Sequence, residues 1–215
     1  LRGHDLVITE VSKKEKKNYA PELYDLTTLQ KEASKRYGFS PKQTLNIMQS
    51  LYEHHKVLTY PRTDSRYLTN DMTDTLKDRI KACQNGSYKK AAATLLRKEI
   101  KASSRFINDK KVSDHHAIIP TEQFVQLDHM TNEERKIYDM VVRRFLSVLY
   151  SPFEYDQTSM EGKAAGQSFV ASGKTVVSAG WKEVYEGGST DDDEEEQTLK
   201  DQKLPVLKQG EKLPI

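Results

Sequence analysis

Apolar residues recur along this chain with two different periods, and the change between them falls at Pro152. A short strand is predicted at Leu6–Thr9, followed by a charged stretch, Lys13–Lys17, and a break at Pro21. A helix then opens on Thr27-Thr28-Leu29-Gln30, where the threonine hydroxyl can accept the Gln30 N–H and the glutamine can reach back. Leu29, Ala33 and Tyr37 share one face at a spacing of four, and Gly38 suits the left-handed end. The second helix starts at Ser40-Pro41-Lys42-Gln43, with proline at its first position and an apolar stripe of Leu45, Met48, Leu51 and Tyr52. Two helices and the extended Val57–Tyr60 predict a winged-helix-like module.

Thr69-Asn70-Asp71 is expected to cap a helix that runs to Gln84 and ends at Asn85-Gly86, and residues 88–101 are expected to be helical. Ser113–Thr121 has no helical period and reads as a loop. Thr131-Asn132-Glu133-Glu134 is a further capping box, opening a helix with Ile137, Val141, Phe145 and Leu149 on one face, and Ser151-Pro152 closes it. Beyond Pro152 come short β-like runs at 158–160, 168–170 and 175–177, separated by glycines. Gly187–Gln197, with the six consecutive acids Asp191–Glu196, reads as a disordered loop. The order predicts an α+β multidomain fold, with a helix-rich, winged-helix-like domain (25–150) inserted in a discontinuous β domain (1–24 and 151–215).

Composition narrows the class. No apolar run approaches the roughly 20 residues of a membrane span, no signal peptide is visible, and the first residue is not Met, as expected of a piece of a longer protein. Cys83 is the only cysteine, which excludes internal disulfides and cysteine-rich zinc sites and fits a reducing, cytoplasmic setting. The net charge of +2 conceals an asymmetry: Ser151–Ile215 carries 13 acids against 7 lysines, so the remainder is strongly basic. Between Lys77 and Lys111 stand eleven basic residues and three acids, a candidate footprint for a phosphate backbone or a solvated helix surface.

The chemistry concentrates in Leu58-Thr59-Tyr60-Pro61-Arg62-Thr63-Asp64-Ser65-Arg66-Tyr67-Leu68. Pro61 biases Tyr60 to extended backbone, and an extended run places Tyr60, Arg62 and Asp64 on one face. Tyrosine beside a guanidinium suits attack on a phosphodiester. The phenolate is both nucleophile and leaving group, so the step reverses easily. A free phenol ionises near about pH 10 and needs cationic neighbours or a base, and Arg62 can stabilise charge on the phosphoryl oxygens.

This string resembles the active-site signature of the type IA DNA topoisomerases, and Pro61 with the Arg66-Tyr67-Leu68 run resembles their topoisomerase III branch. Thr28-Leu29-Gln30-Lys31-Glu32-Ala33 with Tyr37-Gly38-Phe39-Ser40, and Asp114-His115-His116-Ala117-Ile118-Ile119-Pro120-Thr121, resemble further family motifs in order and spacing, as does the run ending at Trp181. The resemblance implies an ATP-independent isomerase in which Tyr60 bonds covalently to a 5′ phosphate of single-stranded DNA. Arg62 and His115 would act at that phosphate, and Thr28, Gln30, Arg66, His116 and Thr121 are DNA-binding candidates. It also implies that the β domain is a β-barrel-like arch, shortened at its N-terminus. Mg2+ is expected to bind a toprim domain absent from this chain, with none bound by the fragment, which alone is expected to be inactive. Single-stranded DNA is the expected partner, a helicase a candidate one, and the bacterial nucleoid in the cytoplasm the expected location, with no membrane partner. A noncatalytic winged-helix DNA-binding module would also explain the helix pair and the basic stretch, though not the two motif strings. A tyrosine recombinase would require spaced arginines that are not evident.

Overall fold

A computed structural model describes residues 3–185 and 204–214. The loop expected at 187–197, with its acidic run, lies outside them. Chain contacts divide the protein into two units. One gathers the described residues of 1–18, 152–180 and 185–215, and the other comprises 19–151 with 181–184.

The first unit is a four-stranded sheet built from β1 (Asp5–Asn18), β2 (Phe153–Ala164), β3 (Gln167–Ser178) and β4 (Lys212–Pro214). Their order is β3-β2-β1-β4 and every pairing is antiparallel. The strand expected at Leu6–Thr9 is therefore longer, because the charged stretch expected to interrupt it is part of β1. Cross-strand charge accounts for this: Lys17 lies opposite Glu154 at 2.8 Å, and Lys13 reaches diagonally to Asp156 at 2.8 Å. Likewise the three short runs after Pro152 merge into two 12-residue strands. Their connection is Ala165-Gly166, both at positive φ, the geometry of a tight two-residue hairpin turn. Gly162 marks a close approach within β2, since a Cβ there would stand 2.8 Å from Leu6 Cδ1.

The second unit holds α1 (Leu26–Tyr37), α2 (Pro41–Glu53), α3 (Leu76–Ala82), α4 (Lys89–Leu96) and α5 (Asn132–Val148). Helix α1 is capped by Asp25 rather than Thr27: its carboxylate accepts the Thr28 N–H at 2.6 Å, while the Gln30 side chain turns away to donate to Pro41 O. An aspartate one residue outside the first turn carries full charge beside the unpaired N–H groups, so it is the stronger cap. Helix α2 has Ser40 as its cap and proline in its first turn, as the sequence predicts. The helix expected from Thr69 begins instead as a 3-10 segment, Asn70–Thr75, with no side-chain cap. Helix α4 ends at Leu96 rather than Lys101, because Arg97, Lys98 and Glu99 are exposed and offer no further apolar face. No wing hairpin follows the helix pair among the described residues of this unit, where isolated strand pairing joins Tyr24 to Ile118, Leu58 to Pro120 and Leu68 to Ile107.

The core of this unit is organised on α5, which carries the complete Thr131–Glu134 capping box and buries Ile137, Tyr138, Val141, Val142, Phe145 and Leu146. Glu134 also accepts from Ser50 Oγ at 2.7 Å and lies 3.3 Å from His55 Nε2, which ties α2 to the start of α5. Arg144, buried in α5, donates to Glu32 of α1, to the Tyr24 hydroxyl and to Glu22 O. Removing one member of such a buried charged set strands the others. Arg144→Ala is expected to cost about 3 kcal/mol of unfolding free energy, and Arg144→Met less, as read from urea denaturation midpoints.

Candidate active site

The segment with the candidate chemistry begins where α2 ends. Lys56 adopts a left-handed backbone, φ 58°, and turns the chain so that Val57 N donates to Leu51 O. From Pro61 onward burial alternates strictly: Pro61, Thr63 and Ser65 are buried, while Arg62, Asp64 and Arg66 are exposed. This is the two-residue period of extended chain.

The inward residues hold this track against the loop 115–121, which runs antiparallel to it. Thr59 N donates to Ile119 O at 3.0 Å. Its hydroxyl donates to Ala117 O at 3.3 Å and accepts Ile119 N–H at 3.0 Å. Thr63 Oγ1 donates to His115 O at 2.9 Å, and Ala117 N donates to Tyr67 O. Thr121 closes the far end, its N–H donating to Val57 O and its hydroxyl to Lys56 O at 2.7 Å. From the buried side, Arg79 Nη1 donates to Pro120 O at 2.8 Å and Nη2 pairs with Glu122. Burial pulls the Arg79 guanidinium below its usual range.

Tyr60 is half-buried between two rings: His115 with centroids 4.3 Å apart and planes at 38°, and Tyr52 at 5.5 Å and 81°. Its hydroxyl makes no hydrogen bond with the described residues, and Arg62 and Asp64 have no hydrogen bond or ion pair among them. The structure thus brings Tyr60 and His115 together from two short segments, with Arg62 exposed two residues further along the first. His116 points elsewhere: it is half-buried, its Nδ1 is 2.7 Å from Ala117 O, and burial lowers its tendency to protonate.

Arg66 is exposed and also paired within the chain: its Nε donates to Asp25 at 2.8 Å and its Nη1 to Glu22 at 3.3 Å. Tyr67 donates to Glu22 at 2.7 Å and accepts from Lys111 at 3.0 Å. The Tyr67 hydrogen bond, helped by Arg66, holds the Glu22 carboxyl below its usual range despite some burial. For Asp25, burial works to raise the pKa, but the Thr28 N–H and the Arg66 guanidinium outweigh it and the net shift is downward. Thr28 and Gln30 accordingly serve the start of α1 and its link to α2.

Of the basic residues between Lys77 and Lys111, all are exposed except Arg79, which supports the loop from inside. Among the described residues no three His, Cys, Asp or Glu side chains are placed to hold a metal ion. Sequence reasoning missed Tyr52, Asp25 and Arg79. Only Asp25 left a usable signal, as a helix-capping residue two positions before Thr27, where the predicted helix opens.

A family model described as DNA topoisomerase matches residues 1–215. A DNA topoisomerase 3 of Bacillus cereus is 53% identical over all 215 residues, and that of Bacillus subtilis is 47% identical over the same span. Among solved structures, full-length topoisomerase I from Thermotoga maritima matches 98% of this chain and 32% of its own with a TM-score of 0.68 at 22% identity, a likeness of fold. The chain belongs to the DNA topoisomerase family. Within it the similarity runs to bacterial DNA topoisomerase 3, in agreement with the motif strings, and the chain spans about 29% of the length of the curated relatives it matches.

Asp25 supplies a test of how the segment is held. Asp25→Ala removes both cap and ion pair and is expected to cost about 1–2 kcal/mol, whereas Asp25→Asn keeps a cap and costs less. A carboxylate whose pKa is depressed by folding stabilises above its unfolded value, 3.8, and loses that contribution as pH falls through the lower folded value. The difference in stability between wild type and Asp25→Asn should therefore shrink on acidification below about pH 4.

Proposed function

We propose that this chain is the strand-gating part of a type IA DNA topoisomerase, which cuts one strand of DNA, lets another pass and reseals the break. In this reading the Tyr60 hydroxyl oxygen attacks the scissile phosphorus of single-stranded DNA. A bond forms between that oxygen and the 5′ phosphate, the bond to the 3′ oxygen breaks, and the departing oxygen takes up a proton as a 3′ hydroxyl. Religation is the same exchange in reverse, and a phosphotyrosine bond stores enough energy for it to need no nucleotide cofactor. Arg62 is placed two residues along the same face to stabilise charge on the phosphoryl oxygens. His115, stacked on the Tyr60 ring, is assigned to the same phosphate.

One observation carries the reading. In a segment where Thr59, Thr63, Ser65 and Arg66 are all engaged internally, the Tyr60 hydroxyl and the Arg62 guanidinium have no hydrogen-bond partner among the described residues. Polar groups left open beside neighbours that are bonded within the chain are available to a ligand. The basic residues between Lys77 and Lys111, exposed apart from Arg79, provide a surface for the DNA backbone. The helical unit is read as a winged-helix-like insertion in a β-barrel-like arch, with the extended run 57–68 in the place of a wing. Mg2+ is assigned to a toprim domain elsewhere in the full-length protein, so the isolated fragment is inactive. The setting is the bacterial nucleoid, with a helicase as a cellular partner.

The test uses full-length protein and an end-labelled single-stranded oligonucleotide. Wild type is expected to trap a covalent adduct on the 5′ phosphate, Tyr60→Phe none, and Arg62→Ala about 100-fold less. Adduct formation by Tyr60→Phe would refute the assignment.

A further inference from the structure

What orients the Tyr60 ring follows from its surroundings. Its hydroxyl has no hydrogen-bond partner among the described residues, so no polar contact aims it. Pro61 constrains the backbone of residue 60 but leaves the side-chain torsions open. The contacts that close them are aromatic: His115 lies tilted over the ring at 4.3 Å, and Tyr52 meets it edge to face at 5.5 Å. Edge-to-face geometry sets the positive rim of one ring against the negative face of the other and is specific in angle.

Tyr52 also has an unusual position for a residue of an apolar helical stripe. Met48 and Leu51 are buried, whereas Tyr52 is 38% exposed, so it contributes little to the core beneath α2. Tyr52 and Tyr60 are brought together by the reversal at Lys56, where the left-handed residue folds the chain back along the helix end and Val57 N closes on Leu51 O. A large ring at the surface, outside the core and against the candidate nucleophile, needs an explanation other than packing stability.

We propose that Tyr52 is a positioning residue for Tyr60: its ring, rather than its hydroxyl, fixes the phenol in the orientation from which the oxygen reaches a phosphate. The proposal rests on the reading of Tyr60 as the nucleophile. Tyr52 donates no proton and touches no reacting atom in this role. It narrows the rotamers of Tyr60, so that the fraction of molecules poised for in-line attack is high before DNA arrives.

The experiment separates positioning from binding and from folding. In full-length protein, Tyr52→Ala is expected to lower the single-turnover rate of covalent adduct formation with a single-stranded oligonucleotide by between about 10- and 100-fold. Affinity for the same oligonucleotide, measured in a Tyr60→Phe background, should change less than about twofold, because the ring acts on orientation. Tyr52→Phe should restore the rate and Tyr52→Leu should not, since leucine fills the space without an aromatic rim. The Phe and Leu pair decides the matter even if the alanine variant melts early. A Tyr52→Leu variant that cleaves like wild type would overturn the proposal, as would a Phe variant as slow as Leu or a rate loss matched by lost affinity. Failure of the underlying assignment would look different, because Tyr60→Phe would then still form adduct whatever stood at residue 52.

Discussion

The structure around the candidate site depends on one backbone pairing, the antiparallel run of residues 57–63 against 115–121. Its centre is Thr59, whose amide and hydroxyl together satisfy three groups on the opposing loop. Neither segment belongs to a regular sheet, so neither could keep an extended form on local preference alone. Each supplies the partners the other lacks, and buried backbone groups must find partners. The side chains of the two motifs therefore emerge side by side because their backbones are joined, although they are more than fifty residues apart in sequence.

The same pairing divides the polar residues of the segment into two sets. Threonines and serines of the inward set bond to backbone, and Arg66 of the outward set is balanced by Asp25 and Glu22. Tyr60, Arg62 and Asp64 are left without such balance among the described residues. Arg62 and Asp64 are exposed to water, so leaving them unpaired costs little. The segment itself is held from several directions: Arg79 on the loop, Asp25 at the head of α1 and Arg144 linking α1 to α5. The support is distributed over helices whose order in the chain gives no hint of their convergence.

Much of this is legible in the sequence. The period of four in α5, its capping box, the proline at the start of α2 and the glycine at the end of α1 all correspond to elements in place, because each is governed by neighbours within a few residues. The adjacency of Tyr60 and His115 follows from family likeness, and no local pattern predicts it. The departures have a common origin. The reciprocal glutamine pattern favours Thr27 over Asp25 as a cap, but Gln30 finds Pro41 in the next helix instead. The charges of Lys13–Lys17 resemble a linker until β2 is known to lie opposite with Asp156 and Glu154. The internal partners of Arg66 and Arg79 leave no local pattern because they are tens of residues distant in sequence. In each case a long-range partner outvotes the local rule.

Lys56 shows how narrow a geometric requirement can be while chemistry is left free. Its side chain is exposed, and nothing about an ammonium is needed there, yet its backbone occupies a region that L-residues enter at a cost of about 1–2 kcal/mol. Over evolutionary time this position can drift toward glycine or asparagine with the reversal intact and even eased. A β-branched residue there would be strained by the same backbone geometry. Mutational tolerance at residue 56 thus follows steric shape alone, in a stretch otherwise read for its reactive groups.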